Sequence, residues 1–125
     1  MSDARGVLRE LGAAARVLHH RLLVATQKSF EKLHGRVQGP GVLLQLAVHD
    51  PLFAWLRPLS QKVALLDELA AADDVGAEDF ARAAAEVAEL IDDQAFRGPY
   101  LVYLQTEPDV VIAHAALRAL IARAA

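Results

Sequence analysis

The chain has 125 residues, a formal net charge of −3 and no cysteine. This length is sufficient for one domain with its own hydrophobic core, and the lack of cysteine excludes disulfides, thiolate metal sites and a cysteine nucleophile. The weakly acidic balance argues against a nucleic-acid partner, because the chain would repel a phosphate backbone. We therefore predict one domain spanning residues 1–125.

The composition favours helix over strand, since alanine is abundant and β-branched residues other than valine are few. We predict an all-α fold: an up-and-down helical bundle of four main helices, with a long first helix and a kinked second one. The first residues lack the apolar core of a signal peptide, and no segment approaches the ~20 apolar residues of a membrane span. These features predict a cytoplasmic protein with no membrane partner.

The first predicted helix runs from about residue 3 to residue 34 without a proline, and Gly35 marks its end. At a rise of about 1.5 Å per residue it spans roughly 45 Å, a length typical of a bundle or a dimer seam. Its apolar residues recur at a near-heptad spacing. The spacing predicts an interface between two copies at four of them: Leu8, Leu11, Leu18 and Leu22.

Charge is unevenly distributed along the chain. Residues 1–40 hold seven lysines and arginines against three acids, whereas residues 67–93 hold ten acids against one arginine. Either the basic first helix lies beside the acidic third main helix, in a bundle or a dimer, or its basic face meets nucleic acid or a membrane. The first interpretation is favoured, because the basic residues form no contiguous run.

Residues 42–48 are apolar on nearly every side, which predicts a short helix buried by neighbours on several faces. Asp50 and Pro51 then give the signal for a new helix. Pro58 falls inside this second main helix, where it would leave the carbonyl of Ala54 free and disfavour helical geometry at Arg57. The sequence therefore predicts a kink near residues 54–57. Trp55 at the bend either anchors the core, which is favoured, or lines a crevice.

Downstream, residues 71–76 and 92–98 are predicted to be loops that flank a helix starting near Glu78. A short helix is predicted over residues 99–104. Residues 106–109 resemble a capping box that opens the last helix.

The last helix carries a histidine, His114, on its apolar stripe, where an imidazole needs a polar partner. A core histidine bonded to Tyr103, Gln105 or a backbone carbonyl is favoured. In the alternative, His114 faces the kink, and a pocket for a small ligand is lined by His49, Trp55, Arg57, Tyr103 and His114.

Signals for metals and catalysis are weak. Glu31 and His34 have the Glu-x-x-His spacing of di-iron bundles, but no second such pair exists, and His19 and His20 lie at or beyond the edge of the apolar stripe. Hydrolase and phosphate-loop motifs are absent. We predict no metal and no cofactor, and an enzyme is the least favoured class, in which His114 or His49 would act as a general base beside Asp50.

Two segments, HDPLFAWLRPLS at residues 49–60 and QTEPDVVIAHAALR at residues 105–118, resemble a family of small bacterial proteins with no established activity. The resemblance implies a small helical bacterial protein and implies no function. From the residues themselves we predict a non-enzymatic interaction or regulatory module that is a homodimer, with a protein partner or a small molecule as further candidates. The alternative is a ligand-binding or cofactor-binding helical bundle with a pocket at the kinked second helix.

Overall fold

A computed structural model describes residues 3–124, and Met1, Ser2 and Ala125 lie outside the described part of the chain. The described residues form only helices, which confirms the all-α prediction. The elements are α1 (Ala4–His34), α2 (Pro40–His49), a 3-10 helix (Pro51–Leu56), α3 (Arg57–Ala71), α4 (Ala77–Asp92), α5 (Gln94–Thr106) and α6 (Pro108–Ala122). This arrangement of six α-helices and a 3-10 helix differs from the predicted bundle of four main helices.

The first helix, α1, lies at the centre of the fold. Asp3 caps its start by accepting a hydrogen bond from the Gly6 N–H at 2.9 Å, and Gly35, with a φ of 87°, ends it. Its apolar stripe packs against α3 and α6, and to a smaller extent against α4. The core of the protein is therefore wrapped around one long helix.

The predicted seam between two copies is already occupied within the single chain. Leu8, Leu11, Leu18 and Leu22 are each 0% exposed and belong to one core cluster with residues of α3, α4 and α6. A second copy could reach them only if the core opened. The assignment of these leucines to a dimer interface is therefore wrong, because a heptad pattern records that a stripe is buried and does not record by which chain.

The predicted kink is replaced by a change of helix type. Pro58 has no N–H to bond the Ala54 carbonyl, but the Arg57 N–H bonds that carbonyl instead, as in a 3-10 turn. Arg57 itself adopts helical angles, with φ −57° and ψ −43°. Pro58 consequently stands in the first turn of α3, where a missing N–H costs nothing. Neither the free carbonyl nor the disfavoured geometry at Arg57 is present.

The connections in the second half of the chain are shorter than predicted. Most of residues 92–98 are helical, because Asp93 alone separates α4 from α5 and caps α5 by accepting a hydrogen bond from the Ala95 N–H at 3.1 Å. Pro99 lies inside α5. The predicted capping box of α6 is not formed, since the Thr106 hydroxyl donates to the Val102 carbonyl at 3.0 Å.

The basic residues of α1 meet acids on several elements. Although α1 contacts α4, the ion pairs made by its basic residues within residues 3–124 join Arg16 to Asp67 of α3 and Lys28 to Glu107 at the start of α6, the latter at 2.9 Å. Arg16, Asp67 and Lys28 are exposed and Glu107 is partly exposed, so both pairs contribute little to stability.

The most apolar helix, α2, is the least covered. Gln45 and His49 are its only polar side chains, yet none of its residues is buried, and it packs chiefly against the 3-10 helix. The prediction that neighbours bury it on several faces is wrong. The physical reason is that α3, α4 and α6 already surround the stripe of α1, which leaves α2 on the surface.

Candidate functional site

The five residues predicted to line a ligand pocket lie in three different places. His49 is exposed at the end of α2, beside a shallow depression formed with Val42 and Leu46. Arg57 is exposed at the start of α3. The other three, Trp55, Tyr103 and His114, are half-buried on the opposite flank of the 3-10 helix and belong to an aromatic cluster.

This aromatic cluster joins the 3-10 helix to α5 and α6. Trp55 stacks on Tyr103 with the ring centroids 5.9 Å apart and tilts against Phe96 at 5.1 Å. Phe96 leads on to Tyr100, whose ring meets His114 edge-on at 5.4 Å. Trp55 and Tyr103 are partly buried and pack against the hydrophobic core. Trp55 is thus a packing anchor, the favoured of its two predicted roles.

His114 shares a hydrogen bond with a buried tyrosine. Its Nδ1 lies 2.5 Å from the Tyr100 hydroxyl, so the polar partner is Tyr100 and not the predicted Tyr103 or Gln105. Burial, and then the positive charges of Arg118 and Arg97, lower the pKa of His114, while Asp92 opposes this shift. Burial also raises the pKa of Tyr100. The pair is therefore neutral at pH 7 and satisfies both polar groups within the packed cluster.

A cavity of about 630 Å³, partly open to solvent, lies beneath α2. Its lining residues come from α1, α2, the 3-10 helix and the first turns of α3. This volume falls within the range of small-molecule sites, about 300–1,000 Å³. The lining residues are His19, Leu23, Pro40, Leu43, Leu44, Ala47, Val48, Phe53, Leu56, Arg57, Ser60 and Gln61.

The cavity has one apolar wall and one mixed wall. All side chains contributed by α2 and by the 3-10 helix are apolar, whereas all the polar ones come from α1 and α3. Arg57, Ser60 and Gln61 share a face of α3, since they are three and four residues apart. His19 of α1, one turn before Leu23, completes this wall. A molecule in the cavity would therefore meet hydrocarbon on one side and hydrogen-bonding groups on the other.

Arg57 links the two walls. Its guanidinium donates a hydrogen bond to the Val48 carbonyl, at 2.5 Å, near the C-terminal end of α2. This bond holds the end of α2 beside the first turn of α3 and satisfies a carbonyl that the helix itself leaves free. Burial, followed by the charge of His20, lowers the pKa of the neighbouring His19, which is therefore mainly neutral at pH 7.

The residues considered for metal binding have other contacts. The Glu31 carboxylate accepts a hydrogen bond from the Val37 N–H at 2.8 Å, and His34 is exposed beside Phe30. Across residues 3–124 no group of three or more histidine or acidic side chains is placed to hold a metal ion. In the same range, no helix is long and apolar enough to cross a membrane.

Of the predicted ligand residues, only Arg57 lines this cavity. Sequence reasoning missed His19, Ser60 and Gln61, although one signal was present: His19 stands at the edge of the apolar stripe of α1, where a residue faces a boundary between core and solvent.

Comparison of the chain with protein-family models, curated proteins and solved structures gave no match. The resemblance of residues 49–60 and 105–118 to a bacterial family stays a prediction.

Proposed function

We propose that this chain is a cytoplasmic, non-enzymatic binding module that holds a small, largely apolar molecule in the cavity beneath α2. The observation that carries the proposal is a cavity of about 630 Å³ whose α2 wall is entirely apolar. Small-molecule sites typically combine an apolar lining with a few polar groups that fix orientation. The face of α3 that carries Arg57, Ser60 and Gln61 supplies such groups.

The incomplete burial of α2 supports the same proposal. A helix that is apolar all round is normally covered on several sides, but no residue of α2 is buried. A molecule in the cavity would remove apolar surface of Leu43, Leu44 and Ala47 from water, at roughly 25 cal/mol for each Å². Binding would thereby supply the cover that the rest of the chain does not give to α2.

A neutral apolar fluorophore, N-phenyl-naphthylamine, tests the proposal directly. We expect its emission to increase on binding to one saturable site per chain. The Ala47→Trp variant should weaken or abolish this signal, because the indole would occupy the part of the cavity beside α2. Ala115→Trp is the matched control, since it adds the same side chain at an exposed position of α6. Equal binding to both variants, or no binding to the unaltered protein, would overturn the proposal.

A second candidate function, a homodimeric interaction module, has support from the turn between α5 and α6. Large apolar side chains are exposed on both helices there: Leu101, Val102, Val111 and Ile112. Contiguous exposed apolar patches often mark interaction sites. Such a contact between two copies would replace the seam first predicted along α1.

Sedimentation velocity across the micromolar range tests this second candidate. We expect a dimer that Ile112→Glu converts to monomer. Leu65→Glu on α3 is the control, because Leu65 is also a large apolar side chain with high exposure, 52% against 69% for Ile112. A monomer at every concentration, or equal effects of the two variants, would exclude the α5–α6 surface as a dimer contact.

A further inference from the structure

The charge of the cavity lining limits the chemistry of its ligand. Arg57 is the only lining residue with a permanent charge, and no aspartate or glutamate is among them. The other polar side chains, His19, Ser60 and Gln61, can all donate hydrogen bonds while neutral. A ligand would therefore meet one fixed positive charge and several donors, and no carboxylate that would repel an anion.

Arg57 is positioned to bind an anion without losing its existing contact. The guanidinium has five N–H donors in a fixed plane, and its hydrogen bond to the Val48 carbonyl, at 2.5 Å, uses only one. That bond also restrains the side chain beside the cavity, so less conformational entropy is lost when an anion binds. The remaining donors match the two oxygens of a carboxylate.

The apolar wall, opposite Arg57, limits the chemistry of the rest of the ligand. The side chains of α2 and the 3-10 helix that line the cavity offer no polar group, so any part of a ligand that reaches them must be hydrocarbon. We propose that the cavity binds a monoanionic amphiphile, namely a carboxylate that carries a hydrocarbon chain. Its head group lies at Arg57 and its chain lies along Leu43 and Ala47. This inference rests on the proposed function and names the class of ligand.

Competition for the dye site tests whether the protein recognises the carboxylate of a ligand, separately from its hydrocarbon part. Decanoate and decanol share a hydrocarbon chain and differ in charge, and each is titrated below its micelle-forming or solubility limit against bound N-phenyl-naphthylamine. We expect decanoate to bind the unaltered protein at least about tenfold more tightly than decanol, as a charge-assisted hydrogen bond predicts. In Arg57→Gln this ratio should fall to near one.

Three controls separate the charge of Arg57 from its contact with α2. The ratio of the two affinities is taken within each variant, so a general loosening of α2 cancels. Arg57→Lys keeps the charge and should retain most of the preference for decanoate. Arg82→Gln removes an exposed arginine on α4 that does not line the cavity, and it should leave the ratio unchanged.

The outcomes distinguish this inference from the proposed function. If decanoate and decanol displace the dye equally well from the unaltered protein, or if Arg57→Gln keeps the preference, the carboxylate assignment is overturned and the apolar site remains. If the dye does not bind, or if Ala47→Trp binds it normally, the proposed function and this inference both fail.

Discussion

The apolar residues of α1 and of α2 have opposite surroundings. The stripe of α1 is fully buried, with Leu8, Leu11, Leu18 and Leu22 each 0% exposed. By contrast, α2 is more uniformly apolar and has no buried residue, and its Leu44 is 62% exposed. Three helices surround α1, whereas α2 packs chiefly against the short 3-10 helix. The difference shows that burial depends on the number of packing partners and not on apolar content alone.

The largest effect on stability is expected when one leucine of α1 is replaced, and one leucine of α2 serves as the comparison. Leu18→Ala should lower the free energy of unfolding by about 3 kcal/mol, because it leaves a cavity among α1, α3, α4 and α6. Leu44→Ala should cost less than about 0.5 kcal/mol, since that side chain is mostly in solvent. Urea denaturation followed by circular dichroism measures both. Similar losses would mean that α2 is covered in solution by something other than this chain.

The next largest effect on stability is expected in the segment between α1 and α2, which contains Gly39. Gly39, with φ 99° and ψ 168°, holds a conformation that other residues adopt only with strain. Gly39→Ala should therefore destabilise the fold by about 1–3 kcal/mol if α2 is fixed where the structure has it. Gly41→Ala is the control, because an added methyl group there meets no atom within 4 Å and alanine favours helix. Equal stability of the two variants would indicate that α2 is only loosely held.

A smaller effect is expected in the aromatic cluster. Tyr100→Phe removes the hydroxyl that lies 2.5 Å from His114 Nδ1 and should cost about 1 kcal/mol. Tyr103→Phe should cost less, because Tyr103 is half-buried and its partner Ser29 retains a bond to the Ala25 carbonyl. Thermal unfolding ranks the two variants. The reverse order would show that the contact of α1 with Tyr103 contributes more to stability than the hydrogen bond between Tyr100 and His114.

The smallest expected effect is a dependence of the folding stability on pH. The pKa values of His19 and His114 are lowered from 6.5 in the folded chain, so the folded state binds fewer protons than the unfolded state. The stability that these two histidines contribute should therefore be fully present well above pH 6.5 and be lost as the pH drops from 6.5 through the folded-state values. Denaturation between pH 7.5 and 5.5 measures this slope. His19→Gln and His114→Gln should each flatten it, whereas His49→Gln, for an exposed histidine at the end of α2, is the control.

The sequence by itself determined the helical character of the protein and the bounds of its first helix. Asp3 and Gly35 act on the backbone within a few residues, so their effects on helix ends are local and readable. The heptad spacing of α1 likewise identified the residues that the structure buries. The buried face of α4, including Phe80, Val87 and Ile91, follows the same helical period.

Only the tertiary structure decided what covers each apolar face. Periodicity showed that the leucines of α1 are buried but could not distinguish their own chain from a second copy, because both would cover the same stripe. The exposure of α2, and the cavity that His19 of α1 shares with Arg57 of α3, depend on contacts between residues far apart in sequence. Such contacts are set by the packing of whole helices, and no local pattern encodes them.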